Sequence, residues 1–505
     1  MKPKVLLAVI AILLIICAGA FAISNATAGT DSVSIDANAL EKKGNITVDS
    51  KTLDVTKGLF STENADINAI LVKNGGILKL TNSIINKTGD TASTGDDADF
   101  YGINSAVLVN TNGSLEISDV EINTNSKGSN GIFVTNANAS GDSSQGSDEG
   151  GQPPEATGNG NAGGQAPEAG DGGQPPEKPE GSGEGGSAPG GNGGGPGETT
   201  VSGNTTATVK NVKITTHSDK SRGLDATYNG VINAENVIIN TDGQSCAALA
   251  TDRGEGQVHV KNSEINTGVS KSSGRGSPLI YSTGNITLEN TKGTSYVSQI
   301  ACIEGKNSIE LTNCELNGYG EGNRKDGDAY VDLGGVFIYQ SMSGDADVGT
   351  SLFDAKNSKL SIPKESSVYK EAPMFHVTNT ACVINLDNTE LSFGSGTFLE
   401  VSSQNQWGTQ GSNGGVAELN TNNEKIEGNV IVDAISSLNW TMKNTEFKGA
   451  VNSTGNTTVN VADGSTWTLT GDSAVSSLTV SGKIDYGNYK LTVGDKTYDS
   501  SNPFK

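Results

Sequence analysis

Residues 258–267 read VHVKNSEINT, and close variants return as LEISDVEINT (115–124), ATVKNVKITT (207–216) and INAENVIINT (232–241). Within the phrase Val258 and Val260 fall on one face of an extended chain and His259 and Lys261 on the other. Asn262 then interrupts the strand, and Ile265 resumes the apolar face. The fifth position of the phrase is filled in turn by Asn82, Asp119, Asn211, Asn236, Asn262, Asn290, Asn313, Asn357, Asn388 and Asn444. From Asn211 to Asn313 the steps are 25, 26, 28 and 23 residues, the period of a solenoid with one turn per repeat. Later steps are longer, so loops are expected between otherwise similar turns.

A second apolar segment precedes each phrase, as in GIFVTN (131–136), CAALATDRG (246–254), PLIYSTG (278–284), IACIEG (300–305) and FLEVSS (398–403). Two or three short strands per turn, separated by bends, describe the coil of a parallel β-helix. The fold class expected is therefore all-β, a single solenoid. Asn suits its recurring place because it tolerates left-handed φ at low cost. Its amide can also bond to an identical amide one coil away, forming a ladder that satisfies polar groups otherwise buried unpaired.

Composition agrees with a long, thin core. Of 505 residues 33% are hydrophobic, 5% are aromatic and 67 are Gly, too little bulky material for several spherical cores. The net charge of −23 disfavours nucleic acid and anionic lipid as partners, and Arg222, Arg253, Arg275 and Arg324 are scattered singly. At the N-terminus, Lys2 and Lys4 precede an apolar run from Val5 to Ile16, and Ala20-Phe21-Ala22 supplies a small-x-small cleavage pattern. The expectation is an exported protein with a leader at 1–22, the rival being an uncleaved anchor that makes this segment the chain's one membrane contact. Beyond Cys17, four cysteines (Cys246, Cys302, Cys314, Cys382) form no CxxC pair or Cys/His cluster and read as buried thiols.

Residues 140–200 break the pattern, with GGQPPE at 150–155 and 172–177, GGQAPE at 163–168, and eight of the chain's 13 prolines. So little apolar material cannot bury a core, and a disordered acidic loop is expected at one corner of one coil. The organisation that follows is a leader (1–22), an N-terminal strand region (23–60), first coils (61–139), the insertion (140–200), the main solenoid (201–454) and C-terminal coils with a cap (455–505). Trp467, Tyr486 and Tyr489 are candidates for closing the last coil.

These residues carry a resemblance. The Asn-centred turn, over roughly residues 60–490 apart from the insertion, resembles the right-handed parallel β-helix of the pectin-lyase-like fold. ADGSTWTLTGDSAVSSLTVSG (462–482) is similar to passenger domains of bacterial autotransporter adhesins. The whole resembles secreted adhesin-like surface proteins, although the autotransporters' C-terminal barrel pattern is missing. The resemblance implies a secreted or cell-surface protein that binds glycans or other surface polymers without catalysis and without a resident cofactor.

The same fold hosts polysaccharide lyases and hydrolases, and this is the alternative reading. Asn240-Thr241-Asp242 matches one polygalacturonase motif, but the paired aspartates, the Gly-His-Gly and the Arg-x-Lys that should accompany it are absent. Lyase chemistry needs carboxylates around Ca²⁺ and a nearby base. Of the acidic clusters (Asp96, Asp97 and Asp99; then Asp326, Asp328 and Asp332) the second, beside Arg324 and Lys325, supplies the candidate Ca²⁺ ligands, and the 318–335 loop the candidate cleft. His217, His259 and His376 stand alone, without a nucleophile at a recognisable spacing. Aromatic residues that could stack on sugars are Tyr228, Tyr281 and Tyr296 and, as the leading glycan contacts, Tyr319, Tyr330, Tyr339 and Trp407. N-x-S/T sequons occur at Asn45, Asn86, Asn112, Asn138, Asn204, Asn285, Asn439, Asn452 and Asn456.

Overall fold

The repeated phrase becomes a stretch of parallel sheet in every coil. In the computed structural model, which describes residues 35–92, 95–137, 203–271, 276–322, 325–326, 329–330 and 332–505, VHVKNSEINT contributes strands Gln257–Lys261 and Glu264–Thr267. In earlier coils the two halves run on as single strands, Ile77–Lys87, Ser114–Thr124 and Thr206–Thr216. Val258 lies beside Ile232 of the coil before and Ile286 of the coil after. This register stacks 22 strands into one broad sheet, and the second apolar segments form another of 13. The chain is a parallel β-helix. Thirteen strands about 4.8 Å apart give a rod about 58 Å long.

The interior is filled by columns of inward side chains. One begins Leu78, Leu115, Ala207, Ile232, Val258 and Ile286. After Ile309 it meets Phe353, and three steps later Trp440. There the core changes character: Phe353, Phe375, Phe398, Trp440, Phe447 and Trp467 form a chain of ring contacts with centroids 4.7–6.0 Å apart. Six aromatic residues thus line the interior of the C-terminal half.

The rung residues take left-handed backbone, with φ between +47° and +56° at all ten positions named above. Lys57 and Asn423 take the same conformation in the same place, donating their N–H groups to Thr81 and Lys443 as Asn262 does to Glu289. Amide-to-side-chain bonds link Asn211 to Asp119, Asn236 to Asn211, Asn290 to Asn262, Asn313 to Asn290 and Asn388 to Asn357, at 2.8–3.3 Å. The ladder runs along the solvent side of the bend, where most of these amides are exposed. In four coils a buried N–H is instead satisfied by the inward Ser that follows the left-handed residue: Ser83, Ser263, Ser358 and, after Gly464, Ser465 accept from Gly58, Val237, Cys314 and Thr445 of the preceding coil.

The outer face of the broad sheet carries charge columns in alternation. Lys210, Glu235, Lys261 and Glu289 are neighbours in register, with ion pairs of 3.8 Å and 3.0 Å within the series.

The expected leader and the insertion lie outside the described residues, but the coil that carries the insertion closes across it. Thr205 Oγ1 donates to Asn136 Oδ1 at 2.5 Å, and Thr206 pairs with Ser114. At the far end the antiparallel pair Leu491–Val493 and Lys496–Tyr498 covers the last coil. Trp467 and Tyr486 are buried there, whereas Tyr489 is 39% exposed and stands outside the cap. Cys246, Cys302, Cys314 and Cys382 are buried free thiols. Among the described residues no helix is long and apolar enough to cross a membrane.

Candidate functional site

Chemistry-bearing side chains collect on the outer face of the 13-stranded sheet. Strands Leu224–Thr227, Leu249–Thr251, Ile280–Ser282, Ala301–Glu304, Val336–Tyr339 and Phe375–Thr378 lie side by side. Their register aligns Asp225, Ala250, Tyr281, Cys302, Phe337 and His376 in one outward column. Asp252 and Glu304 project just beyond it. The helix Gly95–Tyr101 and the loops after Tyr339 and Val401 cover this face.

Under the helix, Arg222 is the hub. Its Nη1 donates to Asp99 Oδ1 at 2.9 Å, and its Nε lies 2.5 Å from Asp252 Oδ2 and 3.6 Å from Asp225 Oδ2. Lys220 adds a second cation on Asp99 at 3.1 Å. Burial, and then the neighbouring Asp252 carboxylate, hold the Asp225 carboxyl well above the usual carboxylate range. Burial pushes Asp252 up to about 6. Arg253 continues the layer, lying 3.8 Å above the Phe100 ring and pairing with Asp345.

The next coils hold an acid among aromatic rings. Glu304 is 1% exposed and accepts from Tyr281 Oη at 3.0 Å and from the Ser341 N–H at 3.1 Å. Burial raises Glu304, Cys302, Tyr281 and Tyr339, so the thiol and both phenols stay protonated. His376 is fixed on both sides: Nδ1 faces the Leu333 carbonyl at 3.0 Å and Nε2 faces Gln404 Nε2 at 3.0 Å. A carbonyl only accepts, so Nδ1 carries the proton and Nε2 accepts from the Gln404 amide. Neither nitrogen is left for proton transfer.

Against this layout the residues expected from sequence fall in three places. Tyr339 and Trp407 come together, rings 4.9 Å apart, but Trp407 is 8% exposed and packs with Cys302 and Phe337, leaving little ring for a sugar. Tyr319 stands apart in a tilted pair with Tyr296 at 6.0 Å. Of the acidic loop, Asp332 is 5% exposed and its carbonyl accepts from Gln299 Nε2 at 2.7 Å. Asp326 ends the strand Lys325–Asp326, opposite Ala329 of its antiparallel partner. The side chains of Asp326 and Tyr330, and all of Asp328, lie outside the described residues. Among the described residues no three His, Cys, Asp or Glu are grouped to hold a metal ion.

A second feature, unforeseen from sequence, is an open groove of about 450 Å³ on the outer face of the broad sheet in the C-terminal half, bordered by Thr350, Val383, Val416, Glu418, Asn439 and Asn456. Two of the sequon asparagines, Asn439 and Asn456, open onto it. Compared with known proteins, the chain matches no protein family and no curated protein.

Proposed function

We propose that the chain is an exported, non-catalytic surface rod, adhesive or structural in role, that contacts glycans or other surface polymers. The observation that carries this reading is the sealed state of the carboxylate seam. Asp225, Asp252 and Glu304 are 0%, 5% and 1% exposed, and their partners are a guanidinium, a phenol and a serine of the same chain. General acid or base catalysis requires such groups within reach of a substrate proton; here they bind cover to coil. The basic and then apolar N-terminus supports export.

Incubation of the purified protein with pectin-type and host glycans, with and without Ca²⁺, tests the reading. Retention on one or more polymers without product is expected. Turnover that disappears in Asp326→Asn or Asp328→Asn would instead establish a lyase or hydrolase at the 318–335 loop.

A further inference from the structure

Over most of its length the broad sheet's outer face is closed by side chains that bond from coil to coil. Ser308 donates to Asn285 at 2.8 Å, His259 Nδ1 lies 2.8 Å from Thr287 Oγ1, and Asn385 and Asn420 continue a chain of amide bonds from Asp354 at 3.1 Å each. Toward the C-terminus the sheet widens. Strands Thr350–Lys356, Ala381–Asp387, Val416–Asn422 and Ser437–Lys443 have seven residues each, where Gln257–Lys261, Asn285–Glu289 and Ser308–Thr312 have five. The two extra residues add an outward column: Thr350, Ala381, Val416, Ser437 and, on the next strand, Asn456. Beside it run Leu352, Val383, Glu418, Asn439 and Thr458.

Within these two columns the coil-to-coil bonding stops. Glu418 accepts from Asn420 of its own strand at 3.0 Å, but no side-chain hydrogen bond joins successive members. The Asn439 and Asn456 amides are exposed with no partner among the described residues. Val416, in the middle, is 52% exposed. Along the rod axis the groove thus runs from the Thr350 hydroxyl over an apolar stretch of Ala381, Val383 and Val416 to the amides and hydroxyls of Ser437, Asn439, Asn456 and Thr458.

We propose that this groove binds a neutral polysaccharide chain lying along the rod axis. The inference rests on the polymer-contact reading above and names its site. Amides and hydroxyls both donate and accept, as sugar hydroxyls do, and Ala381, Val383 and Val416 present apolar surface to the C–H faces of pyranose rings. Ser437 with Asn439 on one strand and Asn456 with Thr458 on the next repeat at the strand spacing of about 4.8 Å, close to the advance of one sugar unit in an extended chain. The volume falls within the range of about 300–1,000 Å³ usual for ligand sites. Glu418 at the centre and the net charge of −23 disfavour uronic acid or sulfated polymers.

Affinity electrophoresis through gels holding a neutral β-glucan or xylan, or an acidic polygalacturonate, tests the site. Residues 23–505 made in a bacterial host lacking N-glycosylation keep Asn439 and Asn456 bare. The wild type is expected to be retarded more by a neutral polymer than by the acidic one. Val416→Asp with Asn439→Asp, both at exposed positions, should weaken neutral retention about ten-fold or more, equivalent to about 1.4 kcal/mol, with the thermal midpoint unchanged. Equal retention of wild type and double variant overturns the groove but leaves polymer contact standing. A wild type retained by no polymer overturns both.

Discussion

At the residue scale, position in the coil decides what a side chain does. Asn262 and its counterparts hold a left-handed bend on the solvent side, and where Ser follows, as at Ser83, Ser263 and Ser358, it caps an N–H of the coil before. Glu424 occupies that inward place after the rung Asn423, where other coils have Ser, Val, Thr or Cys. It is 2% exposed, and its Oε1 accepts from the Thr389 N–H at 2.7 Å. Burial pushes its carboxyl from the usual 4.5 up to about 8. The folded state therefore retains a proton that the unfolded chain releases near pH 4.5. Glu424's stabilising contribution is complete below that pH, falls as pH rises to about 8, and is level beyond. Glu424→Gln should remove this slope, making the variant the more stable protein at about pH 9 by up to about 5 kcal/mol, at 1.36 kcal/mol per pH unit. Thermal midpoints of both proteins at about pH 4 and pH 9 check it; an equal fall in both would show that Glu424 is not responsible.

At the element scale, the helix Gly95–Tyr101 is fastened to the second sheet by buried charge. Asp99 reaches Arg222, Phe100 lies under Arg253, its carbonyl accepts from Thr227 Oγ1 at 2.9 Å, and Tyr101 stacks on Tyr228 with centroids 5.8 Å apart. Removing the guanidinium leaves Asp99, Asp225 and Asp252 facing one another without it. Arg222→Ala is expected to cost about 3–5 kcal/mol, the usual loss when a buried ion pair keeps one partner, and to speed amide exchange across 95–101. Adding Asp225→Asn and Asp252→Asn should recover much of that protection. Little of this seam was legible in the sequence. Asp99 and Arg222 are 123 residues apart, and only the stacking register brings Asp225, Asp252 and Glu304 onto one face. The rungs, by contrast, were legible wherever a single Asn follows a clean alternation. Asn423 escaped notice because Asn420, Asn422 and Asn423 crowd one strand end, and Lys57 because the φ of its place, not its chemistry, is shared.

At the scale of the whole molecule, a solenoid is quasi-one-dimensional: each coil is stabilised by its own residues and its neighbours. The period and the strand pattern were readable because they repeat. The ring spine from Phe353 to Trp467 was not, since its six members are spread over six strands. Trp440, fully buried and bonded through Nε1 to Thr421 Oγ1 at 3.1 Å, sits in that spine between Phe398 and Phe447. Trp440→Ala should cost about 3–5 kcal/mol, and the loss should be local. Hydrogen exchange followed by mass spectrometry is expected to accelerate in coils between residues 397 and 480 and to leave residues 70–135 unchanged. Uniform acceleration would mean that the rod unfolds as one unit.

The alternating column of Lys210, Glu235, Lys261 and Glu289 bears on how such a stack is assembled correctly. Coils of similar shape can in principle be skipped, since their apolar faces are nearly interchangeable. Skipping one would bring Lys210 against Lys261 and Glu235 against Glu289, and like charges directly opposite one another are unfavourable. The column works as a parity check on coil order: it contributes modestly to holding the finished rod together, yet it marks a misthreaded one as wrong at each affected step.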